Sequence, residues 1–131
     1  MRVVIRAGLA MLLLATAACG GSSSAGTAAS PAGGGQPVRL EAKDFAFNPT
    51  TITVTSGKPV TLTLQDTGAV HHNFTVDDNS AVDKPVNLDV EVGKTATVTF
   101  TPTKSGQLAF HCEYHGASNG MKGTMTVNPG S

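Results

Sequence analysis

Thr51-Ile-Thr-Val-Thr55, then Ser56-Gly57-Lys58, then Pro59-Val-Thr-Leu-Thr-Leu64: apolar and polar residues alternate with period two on both sides of a turn-forming triplet. That alternation gives each segment one apolar face and one polar face when extended, the pattern of half-buried β-strands. The same period recurs outward from this pair. It predicts strands over residues 38–42, 51–55, 59–64, 73–76, 86–92, 95–100, 107–112 and 123–127. Gly, Pro, Asn and Asp fall between them, and no stretch has a helical apolar stripe. About eight short strands in one unit imply an all-β sandwich or barrel.

Composition agrees. Hydrophobic residues make up 40% of the 131-residue chain but aromatics only 5%, with no Trp, so Val and Thr strands carry the core. The length accommodates one domain. Formal charge is zero and unclustered, which speaks against a polyanionic partner such as nucleic acid.

The N-terminus has a different character. Arg2 and Arg6 precede an apolar run over residues 7–15 that is too short to span a bilayer, the pattern of an export signal. It ends in Thr16-Ala-Ala-Cys19-Gly20, which resembles a bacterial lipobox with Thr16 in place of the usual Leu. Cleavage before Cys19 would lipidate that residue, whereas cleavage after Ala15-Thr16-Ala17 would release a soluble protein. Either way the chain leaves the cytoplasm. Residues 1–18 are read as the signal peptide, 19–37 as lipid-bearing Cys19 with a flexible Gly/Ser/Ala tether, and 38–131 as the folded domain. Of 9 basic residues, loss of Arg2 and Arg6 leaves seven against 9 acidic ones, so the mature chain is mildly acidic.

With Cys19 committed to an anchor, Cys112 is a lone thiol in an oxidising compartment. Strand parity places Leu108, Phe110 and Cys112 on the core face and Ala109 and His111 outside. By the same count His72, Phe74 and Val76 share a face opposite His71 and Asn73, and Met125 and Val127 point inward with Met121 on their parity. Cys112 and His115 are three residues apart, Met121 follows where the chain returns to a strand, and His72 comes from a distant segment. Taken singly, such residues are more often surface histidines, an inert buried thiol and core methionines. Taken together, a thiolate, a thioether and two imidazoles suit copper in both oxidation states, whereas structural zinc wants four strong ligands.

The segment Gly106-Gln-Leu-Ala-Phe-His-Cys-Glu-Tyr-His115, with Gly120-Met-Lys-Gly-Thr-Met-Thr-Val-Asn128, resembles the copper loop and last strand of plastocyanins and pseudoazurins. His72-Asn73 resembles their first-ligand segment, and Phe47-Asn-Pro49 with Ile52, Val54 and Gly57 is similar to the opening strands of bacterial cupredoxins. The likeness covers residues 38–128. It implies a cupredoxin-like Greek-key β-sandwich with a type 1 blue-copper site: His72, Cys112 and His115 as strong ligands and Met121 as the long axial ligand. It also implies that Asn73 ties the two ligand segments together and hydrogen-bonds the thiolate. There are two departures. Five residues (Gly116-Ala-Ser-Asn-Gly120) separate His115 from Met121, one more than in plastocyanin, and His111 stands where plastocyanins carry an exposed Tyr.

The function implied is single-electron transfer by a monomer holding one copper ion that cycles between Cu(I) and Cu(II). Redox proteins would dock transiently near His115, and the lipid would hold the protein on the extracytoplasmic face of the cell membrane. A copper-delivery protein without a dedicated redox partner would use the same site. A third reading is an oligomeric copper enzyme, because His111-Cys112 resembles the copper nitrite reductases, where the His beside the Cys binds a second metal. His71 also faces outward and could pair with His111 at the surface, but a third strong His is missing because His72 and His115 are already used, and the chain has one domain where those enzymes have two.

Overall fold

The computed structural model describes residues 35–131. The predicted signal segment, Cys19 and most of the tether lie outside the described residues.

Nine strands run in the order β1 (Gln36–Lys43), β2 (Ala46–Asn48), β3 (Thr51–Thr55), β4 (Val60–Asp66), β5 (His72–Val76), β6 (Asn87–Val90), β7 (Thr95–Phe100), β8 (Gly106–His111) and β9 (Lys122–Asn128). They form two sheets, β2-β1-β4-β7 and β3-β9-β8-β5-β6. β1 with β4 and β3 with β9 are parallel pairs and the rest are antiparallel. The chain passes repeatedly from one sheet to the other, as in a Greek-key sandwich.

Three strand expectations need correction. β1 starts at Gln36, inside the expected tether, because the Gln36 side chain pairs with an opposite backbone. Its Nε2 donates to Thr55 O (3.0 Å), and its Oε1 accepts from Thr55 N (2.7 Å). The ninth strand, β2, is three residues long, too short for alternation to register. The predicted strand over 86–92 is shorter because Lys94 N donates to Glu91 O (2.9 Å), and Gly93, at φ 72°, closes that turn.

The inner faces meet as parity predicts. Leu40, Val54, Leu62, Leu64, Phe100, Met125 and Val127 are buried. At one end of this core Phe47, Phe74 and Phe110 pack with ring centroids 4.8–6.3 Å apart, an arrangement aromatic rings favour. Position 123 has to be glycine here, since a Cβ would lie 2.3 Å from Phe110 Cζ and 2.5 Å from Thr50 O. Phe110 sits two residues before Cys112, so this packing sets where β8 delivers the thiol.

Candidate metal centre

β5 opens with His72 and β8 ends just before Cys112, in neighbouring strands of one sheet. After Cys112 the chain makes a tight turn. His115 N and Gly116 N both donate to Cys112 O (3.2 and 2.6 Å), which turns His115 back toward the sulfur. The extra residue before Met121 is absorbed in a single helical turn, α1 (Gly116–Asn119), which the alternation did not reveal. Gly120, at φ 68°, ends that turn in the left-handed conformation open to glycine. Cys112 N then donates to Met121 O (3.0 Å), and Met121 N donates to His115 O (3.3 Å). Both ends of the loop are therefore tied together by backbone.

Donor atoms of His72, Cys112 and His115 all lie within 4.8 Å of one another, the one such cluster among the described residues. Cys112 Sγ is 3.5 Å from His115 Nδ1 and 3.9 Å from His72 Nδ1. Thiolate and imidazole donors bound at about 2.3 and 2.0–2.1 Å to one ion, at tetrahedral to trigonal angles, would stand roughly 3.6–3.8 Å apart. The three side chains fit a single metal ion. Cys112, His72 and Met121 are fully buried, and His115 is partly exposed.

His72 is oriented from behind. Its Nδ1 faces the sulfur and its Nε2 lies 2.9 Å from Asp44 Oδ1. A carboxylate can only accept, so Nε2 carries a proton, and in the neutral ring Nδ1 then presents its lone pair. Asp44 Oδ2 accepts from Ala69 N (2.8 Å). That amide first, and the His72 imidazole second, hold the Asp44 carboxyl below the usual carboxylate range. The next residue, Phe45, lays its ring against His115, with centroids 4.7 Å apart. Sequence reasoning missed both residues. Their approach becomes visible only from the parallel register of β1 on β4, which pairs Ala42 with Asp66 and so brings the chain after β1 to the loop before β5.

Asn73 faces away from the core, as its parity predicts, yet it is fully buried because Glu113 and Asn87 cover it. Its Oδ1 accepts from Glu113 N (2.8 Å) and its Nδ2 donates to Glu113 Oε2 (2.9 Å). The expected tie between the two ligand segments is present. Its side-chain hydrogen bonds go to Glu113, Asn87 and Thr75, and none goes to Cys112 Sγ.

His71 and His111 bond to different aspartates. His71 Nε2 is 3.2 Å from Asp89 Oδ1, which also accepts from Tyr114 Oη (2.8 Å). That carboxylate pushes the Tyr114 phenol up. His111 Nδ1 bonds instead to Asp77, and the His111 ring packs on Gly116.

The sequence matches the cupredoxin-like domain family over residues 8–127. With the fold and the three converged donors, this shows that the chain belongs to that family, and its cofactor is one copper ion. Among solved structures, the dithionite-reduced auracyanin of Roseiflexus castenholzii is 22% identical, with a TM-score of 0.62 over 74% of this chain and 100% of that one. Auracyanin B is 26% identical, with a TM-score of 0.59 over 72% of this chain and 89% of that one. A copper-containing nitrite reductase from Thermus scotoductus is 20% identical, with a TM-score of 0.60 over 74% of this chain and 28% of that one. No curated protein matches the chain in sequence.

Proposed function

We propose that the protein is a single-electron carrier whose copper is held by His72, Cys112 and His115, with Met121 as a weak axial ligand. The observation that carries this reading is the burial of the donor set behind one partly exposed imidazole, His115. Copper so held takes up and releases one electron. The protein's part is to fix the donors, keep water out and leave an edge for exchange. Met121 is buried, the ring of Phe45 packs against His115, and His115 provides the edge. Partners would dock transiently there on a small interface.

His71 and His111 are each engaged by an aspartate, Asp89 and Asp77, so neither ring is free for a second copper, which favours a carrier over a two-copper enzyme. Anchoring through lipidated Cys19 completes the proposal. No helix among the described residues is long and apolar enough to cross a membrane. The lipid on Cys19 would supply the attachment. It would raise the local concentration of membrane redox proteins.

Titrating the apo domain with Cu(II) while recording visible absorption and electron paramagnetic resonance tests the site. One copper per chain with an intense thiolate-to-copper band is expected. Two coppers per chain would revive the enzyme, and no such band would overturn the site. Fractionating cells that express Cys19→Ala tests the anchor, because membrane retention of that variant would refute it.

A further inference from the structure

We propose that Asp44 is a positioning residue of the copper centre: its carboxylate fixes His72 with the proton on Nε2 and lowers the reduction potential. This deepens the electron-carrier reading and rests on it.

Three observations carry the proposal. The first is geometric: Asp44 Oδ1 lies 2.9 Å from His72 Nε2, while the other nitrogen of that ring faces Cys112 Sγ. The carboxylate therefore stands directly behind the nitrogen that meets the metal. The second concerns space. At Gly68 a Cβ would lie 2.3 Å from Asp44 Oδ1 and 2.9 Å from His72 Nε2, so the carboxylate–imidazole contact fills the place of a side chain. The third concerns charge. Lys43, next in sequence, turns to Glu41 (3.1 Å), and His72 is the one ionic partner of Asp44 among the described residues. The negative charge is not cancelled by a lysine or arginine.

Ala69 N, donating to Asp44 Oδ2 at 2.8 Å, anchors the carboxylate from the other side. The imidazole is held between two fixed points. A carboxylate that accepts from a ligating histidine raises the ligand's basicity. A more basic imidazole and a nearby anion both favour the more highly charged Cu(II), so both lower the potential.

The test uses the wild-type protein, Asp44→Asn and Gly68→Ala. In the apo wild type, nitrogen-15 resonances at neutral pH should show His72 as the Nε2–H tautomer. Asp44→Asn removes the charge and keeps an oxygen acceptor. It should retain the intense visible band while Cu(II) affinity falls about 10- to 100-fold and Cu(I) affinity falls less. The potential then rises by about 59 mV for each tenfold difference between the two losses. Gly68→Ala, which displaces the contact without altering charge, should shift the potential in the same direction. A purely structural role would lower thermal stability and leave the potential alone. An unchanged potential in both variants, or an Nδ1–H tautomer in the apo wild type, would overturn the proposal. Should the wild type give no blue site, the carrier reading fails. The apo tautomer, measured without copper, still decides whether Asp44 holds His72.

Discussion

Gly123→Ala adds one methyl group at the point where the core meets the copper loop. Its Cβ would stand 2.3 Å from Phe110 Cζ, 2.5 Å from Phe110 Cε2 and 2.5 Å from Thr50 O, where ordinary contact begins at 3.4 Å. Neither neighbour can give way easily. Thr50 O is backbone and accepts from Thr124 N (2.9 Å), one residue along the same strand. Phe110 is fully buried between Phe47 and Phe74. Overpacking of this kind costs about 1–3 kcal/mol, and contact with both a backbone atom and a locked ring puts this site near the upper end. Replacing a strand glycine returns up to roughly 1 kcal/mol. A net loss of about 2 kcal/mol is expected, which for a domain of about 100 residues is a fall in Tm of roughly 8–16 °C. Thermal unfolding of the apo domain, followed by circular dichroism, measures it. Adding Phe110→Leu should recover part of the loss, with a coupling of about 0.5–3 kcal/mol. A stability within about 0.5 kcal/mol of wild type, the usual range for a surface change, would refute the claim that this contact is filled.

Three further outcomes are expected. Cys112→Ser should abolish the thiolate-to-copper band while the apo domain keeps its circular dichroism spectrum, because Val54, Leu62 and Phe100 pack without help from the metal. Met121→Leu should keep a blue site and raise the reduction potential, since losing a donor disfavours Cu(II) more than Cu(I). Met125→Leu, a core swap costing less than about 1.5 kcal/mol, should leave the potential nearly unchanged, and potentiometric titration of both variants separates them. The Ser80 hydroxyl and amide hold the Asp78 carboxyl below its ordinary value of 3.8. Asp78 caps a single 3-10 turn, Asn79–Ala81, by accepting from Ser80 N (2.9 Å). Stability from that cap is therefore present above 3.8 and lost as pH falls through the lowered value, so Asp78→Asn should lose stability at neutral pH and converge on wild type in acid unfolding curves.

The sequence was most legible where one physical rule acted alone. Period-two alternation placed β3 and β7 to the residue, and parity sent Phe110, Cys112 and Met125 inward and left Ala109 outside. It was less legible where a distant segment overrides the local pattern. Asn73 has outward parity and is buried all the same, because Glu113 reaches over it from 40 residues away. Gln36 reads as tether, yet it is a strand because Thr55 completes its hydrogen bonds. Asp44 and Phe45 carry no alternation at all. Their nearness to His72 and His115 depends on the register of a parallel strand pair, and parallel pairing leaves no turn signature between its strands.

The bonds that shape the copper site are nearly all made by groups that do not bind the metal. His72 is held through Nε2, the nitrogen away from the sulfur. Cys112 is placed by its own backbone, which gives N–H to Met121 O and accepts from His115 and Gly116. Asn73, adjacent to His72, grips Glu113, adjacent to Cys112, through two bonds of 2.8 and 2.9 Å. These bonds use no atom that would bind the metal, so the frame places the donors without regard to the preference of either oxidation state. Cu(I) favours softer donors and Cu(II) favours imidazole nitrogen. A frame that answers to neither leaves little to rearrange when an electron arrives or leaves. Glu113 serves this frame without offering the metal a donor atom. Its Oε2 accepts from Asn73 and from Asn87 (2.8 Å), and without it two amide groups, one of them fully buried, would lose a partner.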